Sequence, residues 1–156
     1  KEVVPYISSK DISVRNLAGE ILLKKGGKAI PSILDYLKHA DDDDQKFLID
    51  ILGLIGEISV EDEIITILKI SQNDNVILAC IEALGNIKSE KSFEVIKEKY
   101  SNNELYHPTI FEALGKIGTD EALSFINKEY QRSDDLSKFA MIESLGNVGN
   151  EEIFYT

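Results

Sequence analysis

The feature that most constrains this chain is self-similarity at a fixed period. Four segments match closely: LGLIG at 52–56, LGNIK at 84–88, LGKIG at 114–118 and LGNVG at 145–149. A weaker fifth, LLKKG, lies at 22–26. The leading leucines (Leu22, Leu52, Leu84, Leu114, Leu145) are separated by 30, 32, 30 and 31 residues. Such a period marks an array of small units, each of which buries its apolar face only by stacking on its neighbours.

One period contains two helices. Counting from Leu84 as position zero, Val76, Cys80, Ile81 and Ala83 fall at −8, −4, −3 and −1, the spacing of one apolar helix face. Eleven residues before each leucine stands a short polar residue: Asp11, Asp41, Asn73, Asn103, Asp134. A side chain of this kind at an N-cap accepts hydrogen bonds from free N–H groups of the first turn. Four residues after each leucine come Gly26, Gly56, Lys88, Gly118 and Gly149, and glycine there supplies a left-handed C-cap. Glycine also follows the leucine directly at 53, 85, 115 and 146. Inside a helix it costs about 1 kcal/mol relative to alanine, so its recurrence predicts close approach of a neighbouring helix. Between these Leu-Gly helices, residues 28–38, 60–70, 90–100 and 120–130 each read as a second, intervening helix of about three turns with one apolar stripe. Residues 2–8 read as the end of an earlier helix and 150–155 as the start of a later one. The period is thus an antiparallel helix pair, and the fold class is all-α.

Composition bounds what such an array does. The 156 residues fit one domain, 1–156, of about five repeats with half-repeats at both ends. With 17 Lys and Arg against 28 Asp and Glu, the net charge is −11. That argues against nucleic acid, whose binding rests on phosphate neutralisation by basic side chains. No apolar run approaches the ~18 residues of a membrane span. One Cys and no signal segment suit a cytoplasmic chain. Two His far apart and no Cys pair give no zinc signature, and no phosphate loop or nucleophile motif is present, so no cofactor, metal or catalytic residue is expected. Cys80, at a core position, reads as a small buried hydrophobe. The run Asp41–Asp44 reads as the opening of a helix, where carboxylates suit the dipole. It lacks the spaced oxygens and Gly turn of a calcium loop.

The pattern Asp-x-x-Val-Arg-x-x-Ala-x-x-x-Leu, complete at Asp11, Val14, Arg15, Ala18 and Leu22, resembles the HEAT repeat. The Leu-Gly-x-Ile-Gly ending and the short period resemble its phycobilisome-lyase-like subtype. The resemblance implies an α-solenoid, a right-handed superhelix with the Leu-Gly helices on its concave side. The Val-Arg pair is replaced by Asp44-Gln45, Val76-Ile77, Tyr106-His107 and Ser137-Lys138, so the inter-repeat Asp–Arg ladder of the family is mostly missing. Metal-binding relatives resembling deoxyhypusine hydroxylase carry His-Glu pairs; here His39 precedes Ala40 and His107 precedes Pro108. Pro108 predicts that its helix starts late, near His107, or kinks. Tyr100 and Tyr130, at matching helix ends, are expected to pack on the core with wet hydroxyls.

Candidate binding residues come from the outward face of the Leu-Gly helices. Position −2 lies about 160° from the core leucine, and it holds a carboxylate in every repeat: Glu20, Asp50, Glu82, Glu112, Glu143. Stacked helices lie ~8–10 Å apart, so these form a column with that rise. Beside it lie Phe47, Leu54, Leu78, Lys116 and Phe139, read as an apolar and polar fringe of a partner-binding surface. The bland alternative is a solvated face, with Glu20–Lys24 and Glu112–Lys116 as helix-supporting pairs worth ~0.2–0.5 kcal/mol.

The functional expectation is a non-enzymatic protein-interaction scaffold whose concave face takes a partner segment, a protein or peptide with basic residues. A second reading, by similarity to the subtype's namesake, is a phycobilin lyase-like or lyase-chaperone subunit. A third is a structural solenoid segment of a larger protein. Half-repeats without polar caps also predict self-association or continuation through the ends.

Overall fold

The computed structural model describes residues 3–146, and these are helical, with no strand among them. The Leu-Gly helices are α1 (Ile12–Lys25), α3 (Asp42–Ile55), α5 (Asp74–Asn86), α7 (His107–Ile117) and α9 (Asp135–Gly146). The intervening helices are α2 (Ile30–Leu37), α4 (Glu61–Ile70), α6 (Phe93–Tyr100) and α8 (Asp120–Arg132). Short 3-10 turns lead into α2, α4, α6 and α7. No helix among the described residues is long and apolar enough to cross a membrane.

Local chemistry sets the boundaries. Asp11, Asp41 and Asn73 each accept a backbone N–H of the following turn at 2.9 Å, and Asp134 does so from Ser137 at 2.8 Å. Asn103 caps a 3-10 turn, Glu104–Tyr106, and α7 follows with Pro108 in its first turn, where a missing N–H costs nothing. The late start near His107 is therefore observed. Gly26, Gly56 and Gly118 stand at φ +53, +78 and +68 after their helices. Lys88 takes the same conformation at φ +54, the one non-glycine residue among those described to do so. The Ser89 N–H closes the turn on the Leu84 carbonyl at 3.0 Å. Gly149 and residues 150–155 lie outside the described residues. The described part of residues 2–8 is not the end of an α-helix: Val4–Ser8 form a tight 3-10 turn with Pro5 in it, and proline offers no N–H to the helical ladder.

The Leu-Gly helices touch in file, α1 on α3, α3 on α5, α5 on α7 and α7 on α9, and each of α2, α4, α6 and α8 packs on the Leu-Gly helix that follows it. A continuous core of aliphatic side chains runs through the stack, including Leu22, Leu48, Leu52, Ile81, Leu84 and Leu114. Two of the four recurrent glycines, Gly53 and Gly85, meet the expected close approach, whereas a Cβ on Gly146 would meet nothing within 4 Å among the described residues. A Cβ on Gly53 would lie 2.8 Å from the Ala83 Cα, and one on Gly85 would lie 2.7 Å from the Ala113 Cα. Backbone meets backbone there, so the ~1 kcal/mol cost of a helical glycine is offset by tight packing.

Polar links join successive repeats at the starts of the Leu-Gly helices. Arg15 donates to the Asp43 carbonyl at 3.1 Å and approaches the buried Asp44 carboxylate at 3.6 Å. Ser8 also donates to Asp44. The Asn73 amide donates to Asp42 at 3.0 Å and the Tyr106 hydroxyl to Asp74 at 2.6 Å. Arg15 has no arginine counterpart in the later repeats, and there an amide and a phenol make the cross-repeat bond instead.

Candidate functional site

The five carboxylates of the column sit on five helices that contact one another in file, each two residues before its core leucine. Their environments alternate. Glu20, Glu82 and Glu143 are exposed, and no cation lies within ion-pair distance of them among the described residues. Asp50 is half-buried and accepts a 2.6 Å bond from Lys46, and Glu112 accepts one of 2.6 Å from Lys116. Both partners are four residues away on the same helix. Lys116 reaches further, to the Asn86 side-chain oxygen of α5 at 2.9 Å. The expected Glu20–Lys24 pair is not formed. Every second rung is thus neutralised by its own helix, and the remaining negative rungs are two helices apart, about 16–20 Å for a stack of this kind.

The fringe divides. Leu54 and Phe139 are two-thirds exposed, at 67% each. Phe47 and Leu78, expected as exposed contacts, are instead half-buried against the core. Phe47 lies across the α1–α3 seam: the Arg15 guanidinium sits 4.8 Å above its ring, and its Cζ would be 2.9 Å from a Cβ on Gly19. Phe139, at the same offset from its leucine as Leu78, stays exposed, so burial at these positions depends on where the neighbouring helix lies, and period counting along one helix does not reveal that. Lys116, expected at the partner surface, already spends its charge on Glu112 and Asn86. Lys46 stands four residues before Asp50, and that spacing alone signals the pair the two form.

Among the described residues no three His, Cys, Asp or Glu side chains gather as a metal cage needs. Cys80 is wholly buried, and burial pushes its thiol up to about 12; Lys99 pulls down and Asp50 adds to the rise. A thiol so placed is not a ready nucleophile. His107 stacks on the Tyr100 ring at 3.9 Å, its Nε2 2.9 Å from the Tyr100 carbonyl at the end of α6. Burial, then the Glu129 carboxylate, push the Tyr100 hydroxyl up to about 12. Tyr100 and Tyr130 pack on the core as half-buried residues.

Comparison of the sequence with models of known protein families finds no match. Comparison with curated proteins likewise finds none.

Proposed function

We propose that this chain is a HEAT-like α-solenoid, a right-handed superhelix, that works as a non-enzymatic protein-interaction scaffold. The single observation that carries the reading is the carboxylate column, held in register on five helices that touch in file. The curvature has a physical basis. Gly53 against Ala83 and Gly85 against Ala113 draw the Leu-Gly helices together on one side. Helices packed more closely on one side than the other bend a stack toward that side. The Leu-Gly face is then concave, and it presents Glu20, Glu82 and Glu143 toward a partner in the groove. A partner segment carries basic residues spaced to meet rungs about 16–20 Å apart. In an extended strand at ~3.3 Å per residue that is about five or six residues. Leu54 and Phe139 supply exposed apolar contact beside the acids.

The test is affinity capture from source lysate, with wild type beside Glu20→Lys/Glu82→Lys/Glu143→Lys. These three changes leave the Lys46–Asp50 and Lys116–Glu112 pairs intact, and circular dichroism verifies the fold of both proteins. A basic protein held by wild type, lost by the variant and released by added salt supports the scaffold. Identical protein sets from the two baits would make the column a solvated face.

A further inference from the structure

The seams between intervening helices differ. The α4–α6 seam is tied by Lys91 to Asp62 at 2.6 Å and by Ser89 to Glu61 at 2.8 Å. The α6–α8 seam is filled by aromatic rings: Phe125 stands edge-on to Phe93 at 6.3 Å and to Tyr100 at 5.3 Å. The α2–α4 seam is open. A groove of about 1290 Å³ runs between these helices, floored by Leu34, Leu37 and Ile67, with Ile70 on its rim. Ile70 is 70% exposed, although it ends a helix whose other aliphatic residues are largely covered. The groove is on the intervening helices, so it does not include the carboxylate column.

We infer that the α2–α4 groove is a second docking surface, whose occupant is an amphipathic α-helix of a partner protein with basic residues toward its N-terminal end. Three observations lead to this occupant. The volume exceeds the ~300–1,000 Å³ of small-molecule pockets. No strand is present among the described residues, so the partner cannot add a strand to a sheet edge, and an apolar groove between helices suits a helix laid in it. The unpaired charge on the groove's described lining lies at one end. The starts of α2 and α4 are neighbours, since a Cβ on Gly27 would collide with the Glu57 side chain. Asp62 and Glu63 line that end; at the other, Lys38 lies 3.4 Å from Asp35, which also lines the groove, so its charge is already matched. Asp62 is shared with Lys91, whereas Glu63 has no cation within ion-pair distance among the described residues. A helix with its basic, positive N-terminal end at Glu63 matches that one unpaired charge.

The test uses a fluorescein-labelled Leu/Lys amphipathic helix of about four turns, its Leu/Glu counterpart as control, and fluorescence anisotropy at about 0.15 M salt, where distant charges are screened. We expect saturable binding of the Leu/Lys helix alone. Both Ile70→Gln, which keeps the charge, and Glu63→Lys should weaken it about tenfold or more. Glu20→Lys/Glu82→Lys, on the other face, should change it less than about twofold. The replaced residues are exposed, so all variants should keep the wild-type melting curve. No saturable binding, or Ile70→Gln binding as tightly as wild type, overturns the groove. Equal loss from the Glu63 and the column variants would mean attraction by net charge alone and overturns it as well. The column proposal can fail its lysate test without touching this result.

Discussion

At the scale of single residues, one position is out of step with its repeats. Lys88 holds the left-handed conformation that Gly26, Gly56 and Gly118 hold elsewhere, and a side chain there costs roughly 1–2 kcal/mol. Its side chain is exposed. Lys88→Gly should therefore stabilise the protein by about 1 kcal/mol, seen as a higher urea midpoint at unchanged slope. A midpoint that stays put or falls would mean that the extra freedom of glycine in the unfolded chain outweighs the relieved strain. Cys80 gives the second residue-scale expectation. Its thiol ionises near 9 when free but only at about 12 in the fold. Between those values the unfolded chain has released a proton that the folded one keeps. The stability linked to Cys80 is thus complete below pH 9 and is lost as pH rises through 9 toward 12. Tyr100 adds a loss of the same sign, beginning near its ordinary value of 10. Cys80→Ala, though less stable at neutral pH because of the cavity, should flatten the fall between pH 9 and 10 and leave the steeper part above it. Urea midpoints in steps across that range decide it.

At the scale of helices, the stack stands on two backbone contacts where a methyl group does not fit. Gly85→Ala improves helix propensity by about 1 kcal/mol, yet its Cβ would meet the Ala113 Cα at 2.7 Å and the Ala113 Cβ at 2.8 Å. Overpacking of this kind costs typically 1–3 kcal/mol, so the net change should be destabilising, the opposite of an exposed helical glycine. Ala113→Gly in the same chain removes one of the two clashes, and a double-mutant cycle should show a favourable coupling of about 0.5 kcal/mol or more. Additive effects would mean that the helices separate freely. These elements were largely legible in the sequence, and the reason is local. Caps at Asp11, Asp41, Asn73 and Asp134, the C-terminal glycines and the delay imposed by Pro108 are each decided within a few residues of chain. The close approach at Gly53 and Gly85 was legible as well, though the same pattern at Gly146 meets no such contact. What crosses between repeats was not legible. Phe47 and Leu78 were expected outside and lie half-buried against the core, since the angle of a residue on its own helix does not say where the next helix sits. The open α2–α4 seam depends on which side chains of two different repeats meet, and no count along one of them reveals that.

At the scale of the whole molecule, opposing electrostatic effects can be ranked by distance. The chain carries −11 net, and its carboxylate column leaves unpaired like charges on every second helix, about 16–20 Å apart. Against this repulsion stand contact pairs such as Lys46–Asp50, Lys116–Glu112 and Lys91–Asp62, each at 2.6 Å. Salt does not act on the two alike. The screening length falls from about 30 Å at 0.01 M to about 8 Å at 0.15 M. At the lower concentration an unpaired rung feels the next; at the higher it barely does. A pair in contact lies well inside either length and loses little, and exposed pairs contribute only ~0–1 kcal/mol to begin with. Self-repulsion should thus be the larger salt-dependent term, and moving from 0.01 to 0.15 M sodium chloride should raise the urea midpoint. Glu82→Gln removes an unpaired rung and should reduce that rise. Asp50→Asn removes a rung but strands Lys46, which leaves the local charge positive, and should lower the midpoint at both salt concentrations. A midpoint that falls with salt in the wild type would reverse the ranking and put the contact pairs ahead of the column. The column would then be a poorer source of attraction for a basic partner, because the field that drives the rungs apart is the same field that would draw such a partner in.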